Sequence, residues 1–289
     1  MKASQSEFVD VRGLRYHCRT WGSPGAPQLF LLHGFQDVSA SWQFTADALQ
    51  RDWFVIAPDW RGYGLSEWTS AGSYWFPDYF ADLDCLLEHF SPGFPVRLVA
   101  HSMGGNICSM YAGIAPERIG KFVNIEGIGM GARRQDPAPR RFAKWLVEIR
   151  EGGEQRPYES FQDFADRMQA ENPRLTDARA LFLAENWGKQ EPDGTVVRRA
   201  DPKHTLINPL PIPTDDMLAC WRQITAPVLW VEGGKSGLHA RIARDPEGYE
   251  ARCAAIQDLQ VTRIDDAGHN VHHDQPEQLA QVIEQFMAQ

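Results

Sequence analysis

At 289 residues the chain is long enough for one large domain carrying an insertion, or for two modest domains. Its composition, 43% hydrophobic and 23% charged, is that of a soluble globular protein, and a formal charge of −9 argues against a nucleic-acid partner, since phosphate binding needs a basic face. No apolar run reaches membrane-spanning length and "MKASQSEFVD" lacks an apolar signal region, so no membrane partner and a cytoplasmic location are expected.

Strand and helix signals alternate from the start. "EFVDV" and "LRYHCRTW" read as two strands joined by a tight turn at Arg12-Gly13. "QLFLL" is a short continuous apolar run, as expected of a parallel strand buried on both faces. Helical periodicity in "SASWQFTADALQ" precedes the strand "WFVIAP", and the amphipathic "FPDYFADLDCLLEHF" precedes the strand "VRLVA". "GGNICSMYAGIAP" is a helix stopped by proline, and "KFVNI" is the sixth strand.

The rhythm then breaks between about Gly127 and Asp215. Helical patterns "PRRFAKWLVEIREG", "SFQDFADRMQAEN" and "DARALFLAENWG" lead into a polar, proline-rich return. The basic residues of "PRRFAKWLVEIR" read as a solvated helix face. Alternation resumes with the helix "MLACWRQI", the strand "PVLWVE", the helix "PEGYEARCAAIQ", the strand "LQVTRID" and the helix "PEQLAQVIEQFMAQ". This βαβα order predicts a parallel sheet with helices on both faces, residues 1–126 and 216–289 forming the core and 127–215 a helical insertion over the strand ends. Five scattered cysteines without paired spacing read as free thiols.

Chemistry concentrates in three loops. "LVAHSMGGN" ends a strand, places Ser102 among small residues and starts a helix at once, which is the arrangement that lifts a nucleophilic serine above a sheet edge; the alternative is a plain helix-capping serine. "LLHGFQD" follows the third strand, where a His-Gly loop can turn a backbone N–H inward; the backbone N–H groups of Phe35 and Met103 are assigned to an oxyanion hole, with His33 structural. "APDWRGYGLS" reads as a tight loop pinned by an ion pair, with Trp60 a candidate to face the pocket. A late "IDDAGHNVHHDQPE" supplies His269 as the general base, while His272 and His273 are read as solvent-facing or as pins for the last helix. That histidine cluster has no carboxylate at metalloprotease spacing, so no metal site is assigned.

With elbow, His-Gly loop and late Gly-His in this order, the chain resembles the α/β-hydrolase superfamily over nearly its whole length. The resemblance implies an eight-stranded, mostly parallel sheet with the second strand antiparallel, helices on both faces, a mainly helical lid after the sixth strand, a catalytic order of serine, acid, histidine, and no metal or organic cofactor. One departure matters. Most of the family places the acid after the seventh strand, where Ser236 stands in "VLWVEGGKSGLHA". A minority, including haloalkane dehalogenases, places it after the sixth strand, the position of Glu126 in "KFVNIEG", and Glu126 is therefore assigned as the acid; the bland alternative is a solvated strand-end carboxylate. Glu232, Asp265 and Asp266 are weaker candidates. Ser102 in place of the dehalogenases' aspartate nucleophile points to acyl transfer.

The expected activity is that of a serine hydrolase, a carboxylesterase acting on small to medium apolar esters or lactones through an acyl-enzyme. A largely apolar pocket is expected from the insertion's aromatics, among them Phe142, Trp145, Tyr158, Phe161, Phe164, Phe182 and Trp187. The alternatives are a C–C bond hydrolase of diketone ring-cleavage products, a perhydrolase side activity, and a non-catalytic ligand receptor on the same scaffold. Nothing in the chain signals an oligomeric state.

Overall fold

The computed structural model describes residues 1–70, 72–129 and 137–289. Eight strands form one sheet: β1 (Ser4–Val11), β2 (Leu14–Trp21), β3 (Gln28–Leu32), β4 (Phe54–Pro58), β5 (Val96–His101), β6 (Ile119–Ile125), β9 (Val228–Gly233) and β10 (Leu259–Ile264), in the order β1-β2-β4-β3-β5-β6-β9-β10. Only β2 runs against its neighbours; all pairs from β4 to β10 are parallel. Arg12 and Gly13, both at positive φ, make the two-residue turn between β1 and β2. The order β4-β3-β5 reverses the direction of winding, which puts the loops after β3 and β5 side by side at the carboxyl edge.

Both faces of the sheet are covered, which explains the continuous apolar runs. Along β3, Phe30 and Leu32 join a core containing Leu83, Leu86 and Leu87 of helix α2 (Phe76–Phe90) and Ile107 of helix α3 (Met103–Ile114). Leu29 and Leu31 point the other way, into a core with Ala46 of α1 (Gln43–Ala48) and Leu279, Ile283 and Phe286 of α11 (Pro276–Ala288). This alternation is the period-two geometry of a strand between two helical layers.

Between β6 and β9 lie α4 (Ala138–Glu151), α5 (Phe161–Glu171), α6 (Asp177–Trp187) and then α7 (Thr214–Trp221), which packs on the core through Met217, Leu218 and Trp221. Residues 130–136 of the expected insertion lie outside the described residues. Ser160 and Thr176 cap α5 and α6 with side-chain oxygens, as helix N-termini require. The segment owns a small core of Tyr158, Phe164, Ala165, Met168, Leu175, Leu183 and Val196. Two features were not anticipated: an antiparallel pair, β7 (Gly188–Gln190) with β8 (Val196–Arg198), where the third helical pattern gives way to the proline-rich return, and two short helices, α8 (Leu238–Arg244) and α10 (Val271–Asp274), in the late loops; α9 (Pro246–Ala255) lies where expected. The hairpin forms its own two-stranded sheet and adds nothing to the main one.

Candidate active site

Four loops meet at the carboxyl edge, those after β3, β5, β6 and β10. Ser102 follows β5 directly at φ 50°, ψ −111°, an uncommon conformation for a side chain with a Cβ, and its N–H is held by the Ile125 carbonyl at 2.8 Å. Such a turn needs small neighbours. A Cβ on Gly104 would stand 2.6 Å from the His33 carbonyl oxygen, and one on Gly105 2.4 Å from Asn124 Oδ1. Ala100, two residues before Ser102, is small as well and fully buried in β5.

His269 Nε2 lies 2.9 Å from Ser102 Oγ, and His269 Nδ1 lies 3.1 Å from Glu126 Oε2. The imidazole is half-exposed while the Glu126 carboxylate is almost fully buried. Glu126 itself sits at φ 58°, a second strained position at the strand edge. Its Oε1 accepts from Gly233 N–H at 2.7 Å, and its Oε2 accepts from Ser236 Oγ at 2.5 Å. The serine that stands where most relatives of this fold carry an acid is thus a donor to the acid from the other strand. The remaining candidate acids are elsewhere. Glu232 accepts from Tyr249 Oη at 2.7 Å, Asp265 pairs with Arg263, and Asp266 pairs with Arg174.

The His33-Gly34 loop presses on the elbow. A Cβ on Gly34 would lie 3.2 Å from Ser102 Cβ, so Phe35 follows within reach of the serine. Among the described residues neither Phe35 N–H nor Met103 N–H donates to a protein acceptor. His33 is structural as expected: buried, it donates from Nδ1 to the Gly34 carbonyl and accepts from Trp60 N–H at Nε2, and burial pushes its imidazole below the usual range.

Several expectations need correction. Trp60 does not face the pocket; it is fully buried and donates its indole N–H to the His33 carbonyl. The loop after β4 is pinned, but by partners outside itself: Asp59 accepts a hydrogen bond from His17 Nδ1 of β2 at 2.7 Å, and Arg61 grips Asp82 of α2 in an ion pair at 2.5 and 2.6 Å. His272 and His273 are buried, not solvent-facing, because α10 tucks them beneath the His269 loop. His272 Nε2 donates to Asp37 Oδ2 at 3.1 Å, and Asp37 also accepts from Val38 N–H and Ser41 Oγ.

His101, the residue before Ser102, was not singled out by the sequence. It donates from Nε2 to the His269 carbonyl at 2.9 Å and so holds the His269 loop against the elbow; burial keeps it neutral. Asp37, His101 and His272 bring one potential ligand atom each within 4.8 Å of one another, the nitrogen and oxygen set a divalent transition metal accepts. His101 and His272 each spend Nε2 on a protein acceptor, as a loop tether and a structural pair, while Nδ1 of each is buried without a hydrogen-bond partner among the described residues. Burial alone would raise the Asp37 carboxyl; the hydrogen bond and charge of His272 overcome it and hold the group below the usual carboxylate range. Its stabilisation is therefore complete above the unfolded pKa of about 3.9 and is lost as pH falls below that. Asp37→Asn is expected to cost about 3 kcal/mol at neutral pH, with the gap from wild type narrowing in acid, read from urea midpoints across pH 3 to 7. A gap that stays constant with pH would refute the pairing.

A cavity of about 570 Å³ opens beside His269, between Phe35 and Asn270 of the core loops and Tyr158, Trp187 and Arg198 of the insertion. The expected largely apolar lining is corrected: Glu154 and Arg156 of the loop before Tyr158, Arg167 and Glu171 of α5, and Arg198 of β8 also line it. Of the insertion's aromatics, Tyr158 and Trp187 line the cavity while Phe164 is fully buried behind them.

Among known proteins, the model of the alpha/beta hydrolase fold family matches residues 27–276. The chain is 28% identical to a serine hydrolase-like protein of Danio rerio over 308 aligned positions, covering 99% of this chain and 90% of that one. It is 26% identical to an esterase of Mycobacterium tuberculosis, covering 91% and 83%. The structure is similar to the thioesterase domain from the curacin biosynthetic pathway, with a TM-score of 0.86 at 23% identity over 98% of this chain and 99% of that one.

Proposed function

Because the chain belongs to the α/β-hydrolase family and is a hydrolase, we infer that it is a carboxylesterase working through an acyl-enzyme on Ser102. The observation that carries this reading is the line Ser102 Oγ, His269, Glu126, with gaps of 2.9 and 3.1 Å. Ser102 attacks an ester carbonyl as His269 Nε2 takes its proton, and Glu126 keeps the other ring nitrogen protonated and balances the imidazolium. The tetrahedral oxyanion rests on the N–H groups of Phe35 and Met103, each contributing about 3 kcal/mol to the transition state. His269 then protonates the leaving alcohol, and water activated by the same ring releases the acid.

In this reading residues 127–215 act as a lid, roofing the site with Tyr158 and Trp187, and the substrates are small to medium esters or lactones. A panel of chromogenic esters of increasing acyl length, with lactones and a vinylogous diketone alongside, tests it. The expected result is burst-phase turnover of esters with an optimum at short to medium chains. Turnover of the diketone with none of the esters would replace the reading by C–C bond hydrolysis, and no turnover of any compound would leave a ligand receptor.

A further inference from the structure

Among the described residues lining the cavity beside His269, Arg198 is a half-buried charge without an ion-pair partner. Arg198, the last residue of β8, is half-buried, and its one hydrogen bond among the described residues runs from Nε to Tyr158 Oη at 3.2 Å. No described carboxylate comes within ion-pair distance of it. Both terminal nitrogens, with four N–H donors, therefore have no protein acceptor among the described residues. The acids nearby do other things: Asp37 is spent on His272, Val38 and Ser41, and Glu154 and Glu171 stand exposed at the rim, as do Arg156 and Arg167.

A guanidinium stays charged at any physiological pH, so partial burial without a counter-ion is unfavourable unless something compensates. Here aromatic faces do so in part. The guanidinium carbon lies 4.7 Å from the Phe164 ring centroid, 5.5 Å from Trp187 and 5.9 Å from Tyr158. The same rings fix its position, and Trp187 is fixed in turn by its indole N–H on Ser41 Oγ at 2.7 Å, which itself donates to Asp37 in the loop of the assigned oxyanion hole. The free edge of a planar fork is thus held in the same cavity as the reacting serine's base, and a carboxylate is the group that such a fork binds with two parallel hydrogen bonds.

We propose that Arg198 is the specificity-determining residue for an anionic end of the substrate, so that the preferred esters carry a carboxylate at the far end of an apolar acyl chain. This rests on the serine-esterase reading and sharpens its substrate class: an apolar body against Tyr158 and Trp187, with a charge at its tip.

The test compares p-nitrophenyl hemi-esters of adipic, pimelic and suberic acids with their methyl-capped counterparts, which have the same chain without the charge. Wild type is expected to favour the hemi-ester at one chain length by at least roughly 10-fold in kcat/KM, mainly through KM. Arg198→Gln should lower that ratio by roughly 10- to 100-fold, and Arg198→Lys, which keeps the charge but not the fork, should retain part of it. Equal kcat/KM for the two series in wild type would overturn the proposal. So would an equal loss on both series in Arg198→Gln, which marks a packing role. Calorimetric titration of monomethyl adipate into Ser102→Ala reads the same subsite without turnover. Binding that Arg198→Gln removes supports the proposal even if every ester fails, whereas absence of binding refutes it while leaving the hydrolase reading to the ester panel.

Discussion

Ser102→Ala is expected to fold as wild type does and to lose about 10⁶-fold in kcat toward any ester that the protein turns over. The same variant should no longer be labelled by a fluorophosphonate probe. Two readings of this serine compete, a helix cap and a nucleophile, and they make opposite forecasts. Ser102 is the residue before the first turn of α3, yet its side chain makes no capping hydrogen bond. Removing the hydroxyl therefore takes nothing from the helix, and alanine tolerates φ 50° no worse than serine does. What the hydroxyl does have is His269 Nε2 at 2.9 Å. A capping serine would show a stability loss near 1 kcal/mol with activity kept; the nucleophile shows unchanged denaturation midpoint with activity gone. Labelling that persists in the variant would sink the assignment.

Glu126→Gln should cost up to about 10⁴-fold in kcat, and the hydrogen bonds around the carboxylate say why. Oε1 accepts from Gly233 N–H, so a glutamine must put its oxygen there and its NH₂ at the position of Oε2. That NH₂ then faces His269 Nδ1 and Ser236 Oγ as a donor. The neutral ring answers by carrying its proton on Nε2, and it can no longer accept the proton of Ser102. Loss of the tautomer and loss of the charge act together. Ser236→Ala removes one donor to a carboxylate that keeps its other contacts, so its effect should be far smaller, and Glu232→Gln, acting on a group bonded to Tyr249, smaller still. Near-normal turnover in Glu126→Gln with collapse in Glu232→Gln or in an Asp265 or Asp266 variant would falsify the role of Glu126.

The sheet and the elements of its core were legible in the sequence because each obeys a local rule. "QLFLL" is apolar at every position because β3 is covered on both faces, and "FPDYFADLDCLLEHF" shows the stripe that α2 lays on the sheet. The elbow was legible because a tight strand-to-helix turn admits few residue types. The hairpin of β7 and β8 was not, since three-residue strands are too short to show a period and their partner is set by the turn around Gly194. Trp60 and the β4 loop were misjudged for a related reason. A pattern such as "DWRG" names charges without naming partners, and His17 and Asp82 lie 42 and 21 residues away from Asp59 and Arg61.

By itself, then, the sequence determined the order of strands and helices, the position of Ser102 in its turn, and the presence of a late histidine and of a carboxylate at the end of β6. Each of these is written in neighbouring residues, because backbone geometry and one-sided burial act over a few positions. Only the tertiary structure decided which carboxylate faces His269, that Ser236 serves it, that His272 and His273 are buried with His272 bonded to Asp37, and that Arg198 stands in the cavity without an ion-pair partner among the described residues. The first three of those facts depend on side chains more than a hundred residues apart arriving at one edge of the sheet, and what a buried polar group meets there is settled by packing.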